Sequence, residues 1–302
     1  MEGIRKWPWI IMLLLLLSFI SYAVAGLFSL VSESTYESGN IAVIPVNGII
    51  LFNDDASYFT ESVANAKDIV NAIKQADGNE EIKAILLDIN SPGGSAVASM
   101  EATNAVKHAN KTVYAFIHEQ GTSGAYWLAS AAHTIIANEL ALTGSIGVIS
   151  SYLDFSGLLQ DYNVTYQRLV AGKYKDIGTP YRKLSPEEEA MLQKRLDVIH
   201  DRFISAVAEN RHLPKEKVKE LATGMFYLGS EAKDMGLVDI VGDIDTVSEI
   251  IKHDMKLDEV HYVEYKRKRS LLDVVQKLST TFGFWLGRGI STPVISTLHM
   301  SA

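Results

Sequence analysis

The chain has 302 residues, 47% of them hydrophobic, enough for one large domain or two small ones around a real core. Its formal net charge of -8 argues against a nucleic-acid surface. The absence of cysteine excludes disulfides, thiolate metal sites and cysteine catalysis.

Arg5 and Lys6 precede an apolar run from Trp7 to about Val31, broken only by Pro8, Ser18, Ser21, Gly26 and Ser29. About 20 apolar residues cross the hydrocarbon core, so this run predicts one transmembrane helix. With Glu33 and Glu37 following it, the positive-inside rule places the N-terminus in the cytoplasm and the remainder outside. A cleaved signal peptide competes, because Ala23-Val-Ala25 fits a small-residue cleavage site, but apolar residues continue past it. Either reading exports the rest of the chain.

Residues 41–46 read as a buried strand between Gly39-Asn40 and Asn47-Gly48. Val63, Ala66, Ile69, Val70 and Ile73 share one helical face and predict a helix over about 62–75. A second buried strand, 84–89, ends in Asn90-Ser-Pro-Gly-Gly94. Paired glycines let the backbone approach a ligand, and a helix from near Ser95 supplies free N–H groups. Strand, helix, strand, glycine loop and helix is the α/β pattern of parallel crossovers.

A strand over 113–117 leads into Gly121-Thr-Ser-Gly-Ala-Tyr-Trp-Leu-Ala-Ser130, with a helix expected over 126–132. Another strand covers 134–137, and the glycines flanking Ser145 in Leu142-Thr-Gly-Ser-Ile-Gly147 predict tight packing against the Ser123 loop. Residues 167–180 are too rich in Gly, Thr and Pro for regular structure. Lys173, Lys175, Arg182 and Lys183 in this region read by default as solvated charges. Ser185-Pro-Glu-Glu188 opens a long helix, with serine as N-cap, proline at the first position and glutamate at the third. Its Leu192, Leu196, Ile199, Phe203 and Val207 form a stripe for a core or a subunit contact. Helices over 215–221 and 245–252 close the domain. From Lys266-Arg-Lys-Arg269 onward, apolar residues at helix-like intervals fit either an anionic membrane surface or a docking helix. The expected domains are thus 1–32, 33–265 and 266–302: an anchor, a catalytic domain and a basic amphipathic tail.

A serine at a strand-to-helix junction sits where helix amides point outward, which makes Ser123 a candidate nucleophile with oxyanion donors in place. Gly-Thr-Ser-Gly also reads as a turn ending in an N-cap serine. Gly94 N–H is a candidate second donor, although Pro-Gly-Gly by itself is more often just a turn. Ser145 reads as a turn hydroxyl bonded to its own backbone. A serine needs a base. His118 lies five residues before Ser123 and His133 ten after it, and neither sits in a loop built for the task. No His-Glu-x-x-His or carboxylate cluster supports a metal, and no cofactor is implied. A lysine serves instead when burial favours its free amine. Lys175, in a glycine-flanked loop beside Ile177, is the best placed, but nothing in the pattern separates it from Lys173.

Five segments in order, Asn90-Ser-Pro-Gly-Gly94, Thr122-Ser-Gly-Ala-Tyr126, Leu142-Thr-Gly-Ser-Ile-Gly147, Gly172-Lys-Tyr-Lys-Asp176 and Gly236-Leu-Val-Asp239, resemble the short form of the signal peptide peptidase A family. That family belongs to the Clp protease and crotonase superfamily, and the likeness runs from about residue 41 to 250. The resemblance implies an α/β fold, a spiral of ββα units behind one N-terminal transmembrane helix. It implies Ser123 as nucleophile, Lys175 as general base, Ser145 as hydrogen-bond partner of the lysine amine, and Gly94 and Gly124 N–H as oxyanion donors. It further implies a ring-shaped homo-oligomer in which serine and lysine come from neighbouring protomers. The expected activity is that of a serine endopeptidase cutting remnant signal peptides and other hydrophobic extended peptides through an acyl-enzyme. The protein would be single-pass in the cell membrane, held in lipid by its anchor, with the catalytic domain extracytoplasmic and no nucleic-acid partner. Ala125 stands where a second glycine is expected, and the tail beyond Lys266 matches no motif.

Three other functions compete. An acyl-CoA enzyme of crotonase type would use the same two amides, but the exported location and the lack of a carboxylate pair speak against it. A Ser-His protease of Clp type lacks a matching histidine after Ser123. A non-catalytic membrane scaffold sits poorly with an intact serine, lysine and oxyanion set.

Overall fold

The computed structural model describes residues 7–32, 39–52 and 63–266. The apolar N-terminal run forms α1 (Trp7–Ser32), which belongs to a different unit from residues 39–266. Its described side chains are those of residues 7, 9, 11–23 and 26, and all are exposed. Among the described residues, no helix is long and apolar enough to cross a membrane. The tail expected over 266–302 lies outside the described residues after Lys266.

The larger unit begins with β1 (Ile41–Asn47), β2 (Ile49–Leu51), β3 (Val63–Asn65), α2 (Ala66–Gly78), β4 (Ala84–Ser91), α3 (Ala96–Lys107), β5 (Thr112–Thr122) and α4 (Gly124–Ser130). It continues through β6 (Thr134–Ala137), β7 (Leu142–Gly144), α5 (Ser156–Asp161), α6 (Pro186–Asn210) and α7 (Lys215–Leu221). It ends with β8 (Phe226–Leu228), α8 (Gly229–Met235), β9 (Ile240–Val241), α9 (Ile244–Asp254) and β10 (Tyr262–Glu264). The main sheet runs β10-β1-β4-β5-β6-β9, with β7 also on β5 and β8 on β7. Every pairing in it is parallel except β7 with β8.

Parallel strands covered on both faces need apolar residues at nearly every position, and β4 and β5 have them. Ile85, Leu87, Ile89, Val113, Ala115 and Ile117 pack towards α2, α3 and α4. Leu86, Tyr114 and Phe116 alternate onto the other face, where Val247 and Ile251 of α9 cover them. Of the predicted elements, the first helix departs most. It starts at Ala66, because the Asn65 side chain accepts from the amides of Lys67 and Asp68 and so caps it there. Val63 and Ala64 instead pair with β2, and Ser62 lies outside the described residues. The strand expected over 113–117 runs on to Thr122, which brings it directly to Ser123.

Helix α4 is buried along its whole length. Tyr126 Oη donates to the Leu237 carbonyl at 2.8 Å, and the Trp127 ring stacks on Phe203 of α6 at 4.6 Å with 8° between planes. The predicted cap of α6 is present: Ser185 Oγ accepts from Glu188 N while Glu188 accepts from Ser185 N. Phe203 and Val207 of the predicted stripe are buried, whereas Leu192, Leu196 and Ile199 are only half-buried. Removing the Phe203 ring by Phe203→Ala leaves a cavity against Trp127 and is expected to cost about 3–5 kcal/mol of stability. Denaturant unfolding of the purified protein checks this, with Leu192→Ala expected to cost less.

Candidate active site

Strand β4 ends in a loop with an internally determined shape. Ser91 Oγ donates to the Gly48 carbonyl at 2.6 Å and accepts from Gly93 N at 3.1 Å. Ile50 of β2 then runs alongside, its N–H donating to Gly93 O and its carbonyl accepting from Ser95 N. Gly93 has φ +92°, a region where side chains are strained, and a Cβ there would stand 2.5 Å from the Gly124 nitrogen. This loop therefore packs its backbone directly against the turn that carries Ser123.

Ser123 itself has φ 52° and ψ -124°, an uncommon conformation for a residue with a side chain. Its amide donates to the Gly144 carbonyl at 2.8 Å, and β7 pairs with β5 as Gly121 with Thr143 and Thr122 with Gly144. The tight packing expected around Ser145 is thus present. Ser123 occupies the N-cap position of α4 but makes no capping hydrogen bond with its side chain. A plain N-cap serine would use its hydroxyl in that way. Here the half-buried hydroxyl is held at a sharp strand-to-helix turn, the arrangement in which a serine nucleophile is presented.

The amides of Gly94 and Gly124 lie beside it. Gly124 opens α4, so its N–H has no acceptor within the helix. A Cβ on Gly124 would come 3.2 Å from the Gly94 nitrogen, which sets the two amides next to each other. No turn or loop hydrogen bond among the described residues uses either N–H. Ala125, in place of the expected glycine, is fully buried behind the turn.

The candidate bases have different surroundings. His118 shares a strand face with Tyr114 and Phe116, packs edge-on against Phe116, and holds Asp88 Oδ1 at 2.6 Å. That face is opposite the one on which α4 packs. His133 Nδ1 accepts from Val113 N at the start of β5, ten residues before Ser123. Lys173 is paired with Glu187 at 2.8 Å, and the Glu187 and Tyr174 hydrogen bonds push its ammonium up, keeping it protonated. Lys175 is exposed, and among the described residues its side chain makes no hydrogen bond or ion pair. Ser145, with φ 50°, donates its hydroxyl to the Gly224 carbonyl at 3.0 Å rather than to a lysine. Within the chain, then, Ser123, Gly94 and Gly124 come together, while Lys175 has no bond to Ser123 or Ser145.

The pattern of charges around Lys175 holds something that its reading as separate solvated charges missed. Asp176 accepts two bonds from Arg168, both at 2.7 Å, and two from Arg182 at 3.2 and 3.1 Å. Arg182 then grips buried Glu188, the cap of α6, at 2.8 and 2.7 Å. Arg168 also donates to the Lys173 carbonyl. The two arginines, Arg168 foremost, hold the Asp176 carboxyl well below the usual carboxylate range, and Arg182 with the Ser185 amide draws Glu188 down to about 2. Planar guanidinium forks fix orientation as well as charge, so the loop next to Lys175 is clamped to the start of α6. The only signal for this in the sequence was the capping glutamate.

An α/β sheet of parallel crossovers, with a serine turn facing a double-glycine loop, fits a fold of the Clp-protease-like class. The Clp protease family pattern matches residues 51–144, and that of peptidase family S49 matches residues 105–258. The chain is 32% identical over 271 residues to a candidate signal peptide peptidase SppA of Enterococcus faecium, covering 86% of this chain and 75% of that protein. It is 29% identical over 289 residues to a candidate protease of Methanocaldococcus jannaschii, covering 93% and 92%. With Protease 4 of Salmonella typhi it shares 31% over 245 residues, 80% of this chain but 39% of that longer protein. The chain belongs to peptidase family S49 and is a serine peptidase.

Arg182→Ala removes the link between Asp176 and Glu188 and is expected to loosen residues 172–183 from the start of α6. Both carboxylates release protons more readily in the folded chain than in the unfolded one. Their contribution is therefore complete above the ordinary carboxylate range near about 4, and is lost as the pH falls towards the folded value of about 2 for Glu188. Limited proteolysis at residues 172–183 should rise over that interval in the wild type, and at neutral pH in the variant.

Proposed function

We propose that this peptidase is a membrane-anchored endopeptidase with a Ser-Lys dyad that cuts hydrophobic peptides, remnant signal peptides among them, in extended form. The observation that carries the reading is the strained Ser123 turn beside the paired amides of Gly94 and Gly124. In the first half-reaction Lys175, as the free amine, takes the proton of Ser123 Oγ while that oxygen bonds to the peptide carbonyl carbon. The carbonyl oxygen becomes an oxyanion and meets the two N–H groups. The lysine then gives its proton to the departing amine, leaving an acyl-serine. In the second half-reaction a water attacks the ester, its proton passing to Lys175, and collapse returns a proton to Ser123 and frees the carboxylic product.

The lysine comes from a neighbouring protomer. The segment between β7 and α6 that bears it exposes Ile149, Leu153, Leu158, Tyr162 and Leu169, the last at 97% of its full accessible area. Helix α5 within it has no buried residue. An apolar surface of this kind marks an interaction face, and a second copy covering it desolvates the lysine, the condition that favours a free amine. Ser145 is the hydroxyl available to hold that amine. The anchoring rests on Arg5 and Lys6 ahead of α1 and on the exposed leucines 13–17 along it, and places the catalytic domain outside the cytoplasm. The relatives named for signal peptide peptidase support the substrate class.

Ser123→Ala and Lys175→Ala are each expected to lower hydrolysis of a fluorogenic apolar peptide by at least about a thousandfold. Co-assembling the two dead variants tests the shared site. Partial recovery is expected, because a protomer with an intact serine then meets a neighbour with an intact lysine. Mixed assemblies as inactive as their parents would refute a base supplied by a neighbour, and a Lys175→Ala enzyme of normal activity would refute the dyad.

A further inference from the structure

Ser99 lies on α3 one turn beyond its N-cap, Ser95, and is fully buried. Its Oγ is closed off from solvent and has no hydrogen-bond partner among the described residues. A helical serine or threonine ordinarily meets this need by donating to the carbonyl four residues back. Thr103, Ser205 and Ser248 do so, to Ser99, Asp201 and Ile244 at 2.7, 2.8 and 2.9 Å. Ser99 does not, and its hydroxyl instead faces α4. A Cβ on Gly124 would stand 2.2 Å from that oxygen and 3.2 Å from the Gly94 nitrogen. The hydroxyl, the Gly124 Cα and the Gly94 amide therefore share one small volume on the buried side of the serine turn.

An unpaired hydroxyl in the interior is unfavourable, and such groups are rare enough that each calls for a reason. Packing alone is a weak reason, because an apolar side chain would fill the interior without a polar atom to bury. We infer that Ser99 is a positioning residue of the peptidase site, whose hydroxyl, seated behind Gly124, fixes the aim of the Gly94 and Gly124 amides at the developing oxyanion. This rests on the assignment of Ser123 and the two amides made above. Ser99 acts through the amides and touches neither the scissile carbon nor the leaving group. Its oxygen excludes any side chain at position 124 and holds the first turn of α4 at a set distance from the glycine loop. Donors preset in this way strengthen binding of the tetrahedral state and leave the uncleaved peptide indifferent.

The test uses the assembled full-length enzyme. In Ser99→Ala, kcat is expected to fall about tenfold with KM unchanged within roughly twofold. Inhibition by a peptide boronate, whose tetrahedral adduct on Ser123 mimics the intermediate, should weaken by the same factor. Binding of an uncleaved peptide to a Ser123→Ala enzyme should be the same with and without Ser99→Ala. Ser99→Thr, which keeps the hydroxyl, should retain most of the boronate affinity. Normal kcat and boronate affinity in Ser99→Ala, with only a shifted unfolding midpoint, would leave Ser99 a packing residue and overturn the inference. So would a loss confined to KM and peptide binding. Hydrolysis surviving in Ser123→Ala would instead overturn the site assignment itself, which keeps the two failures apart.

Discussion

A Cβ at Gly94 would stand 2.2 Å from the Ile50 carbonyl oxygen, and one at Gly93 would stand 2.5 Å from the Gly124 nitrogen. Backbone meets backbone here with no room for side chains, and three stretches distant in sequence are locked together by it. The contact exists because β4 and β5 are parallel neighbours whose register runs unbroken from Ala84 with Thr112 to Ile89 with Ile117, then shifts before Ser91 pairs with Gly121. That irregularity lets both strand ends turn towards the same helix pair. The strained Ser123 dihedrals, the adjacent amides and the buried α4 beneath them all follow from this approach, since a strained turn persists only where its surroundings over-determine it.

The two halves of the candidate site are built by opposite means. The serine half is assembled from strand ends and helix starts deep in the parallel core, where packing density leaves little freedom. The lysine half stands on irregular chain, and its order comes from ion pairs: Arg168 and Arg182 around Asp176, and Arg182 on to Glu188. Such forks hold direction well at short range. They also spare the loop from needing a hydrophobic core of its own, so its apolar side chains remain turned outward.

Much of this was legible along the chain because it depends on local rules. Glycine pairs after strands, the Ser-Pro-Glu-Glu start of α6 and the apolar runs of β4 and β5 each state their structure within a few residues. Asn65 escaped notice because its cap ends a strand that the helical spacing of Val63 and Ala66 concealed. The ion pair of Lys173 went unread because its partner, Glu187, lies fourteen residues on, on a helix that brings it back. Ser99 was invisible for a different reason: a serine inside a helix pattern predicts a bond to its own backbone, and only the three-dimensional neighbourhood of Gly124 shows that the bond is missing. His118 showed the reverse, looking close to Ser123 in sequence while strand alternation turned it to the other face.

The edge of the sheet carries a mechanical consequence. Strand β10 lies parallel to β1, pairing Tyr262 with Ile41 and Glu264 with Val43. The chain enters β1 at its beginning and leaves β10 at its end, so the two connections to the rest of the protein depart from opposite ends of one parallel pair. A force drawn between them would slide the strands past each other and load their hydrogen bonds together, with Asn40 and Tyr265 adding bonds to His261 and Val43. Peeling the same pair apart one bond at a time would need far less force. A catalytic unit joined in this way resists tension in shear, where a hairpin at the same edge would open like a zip.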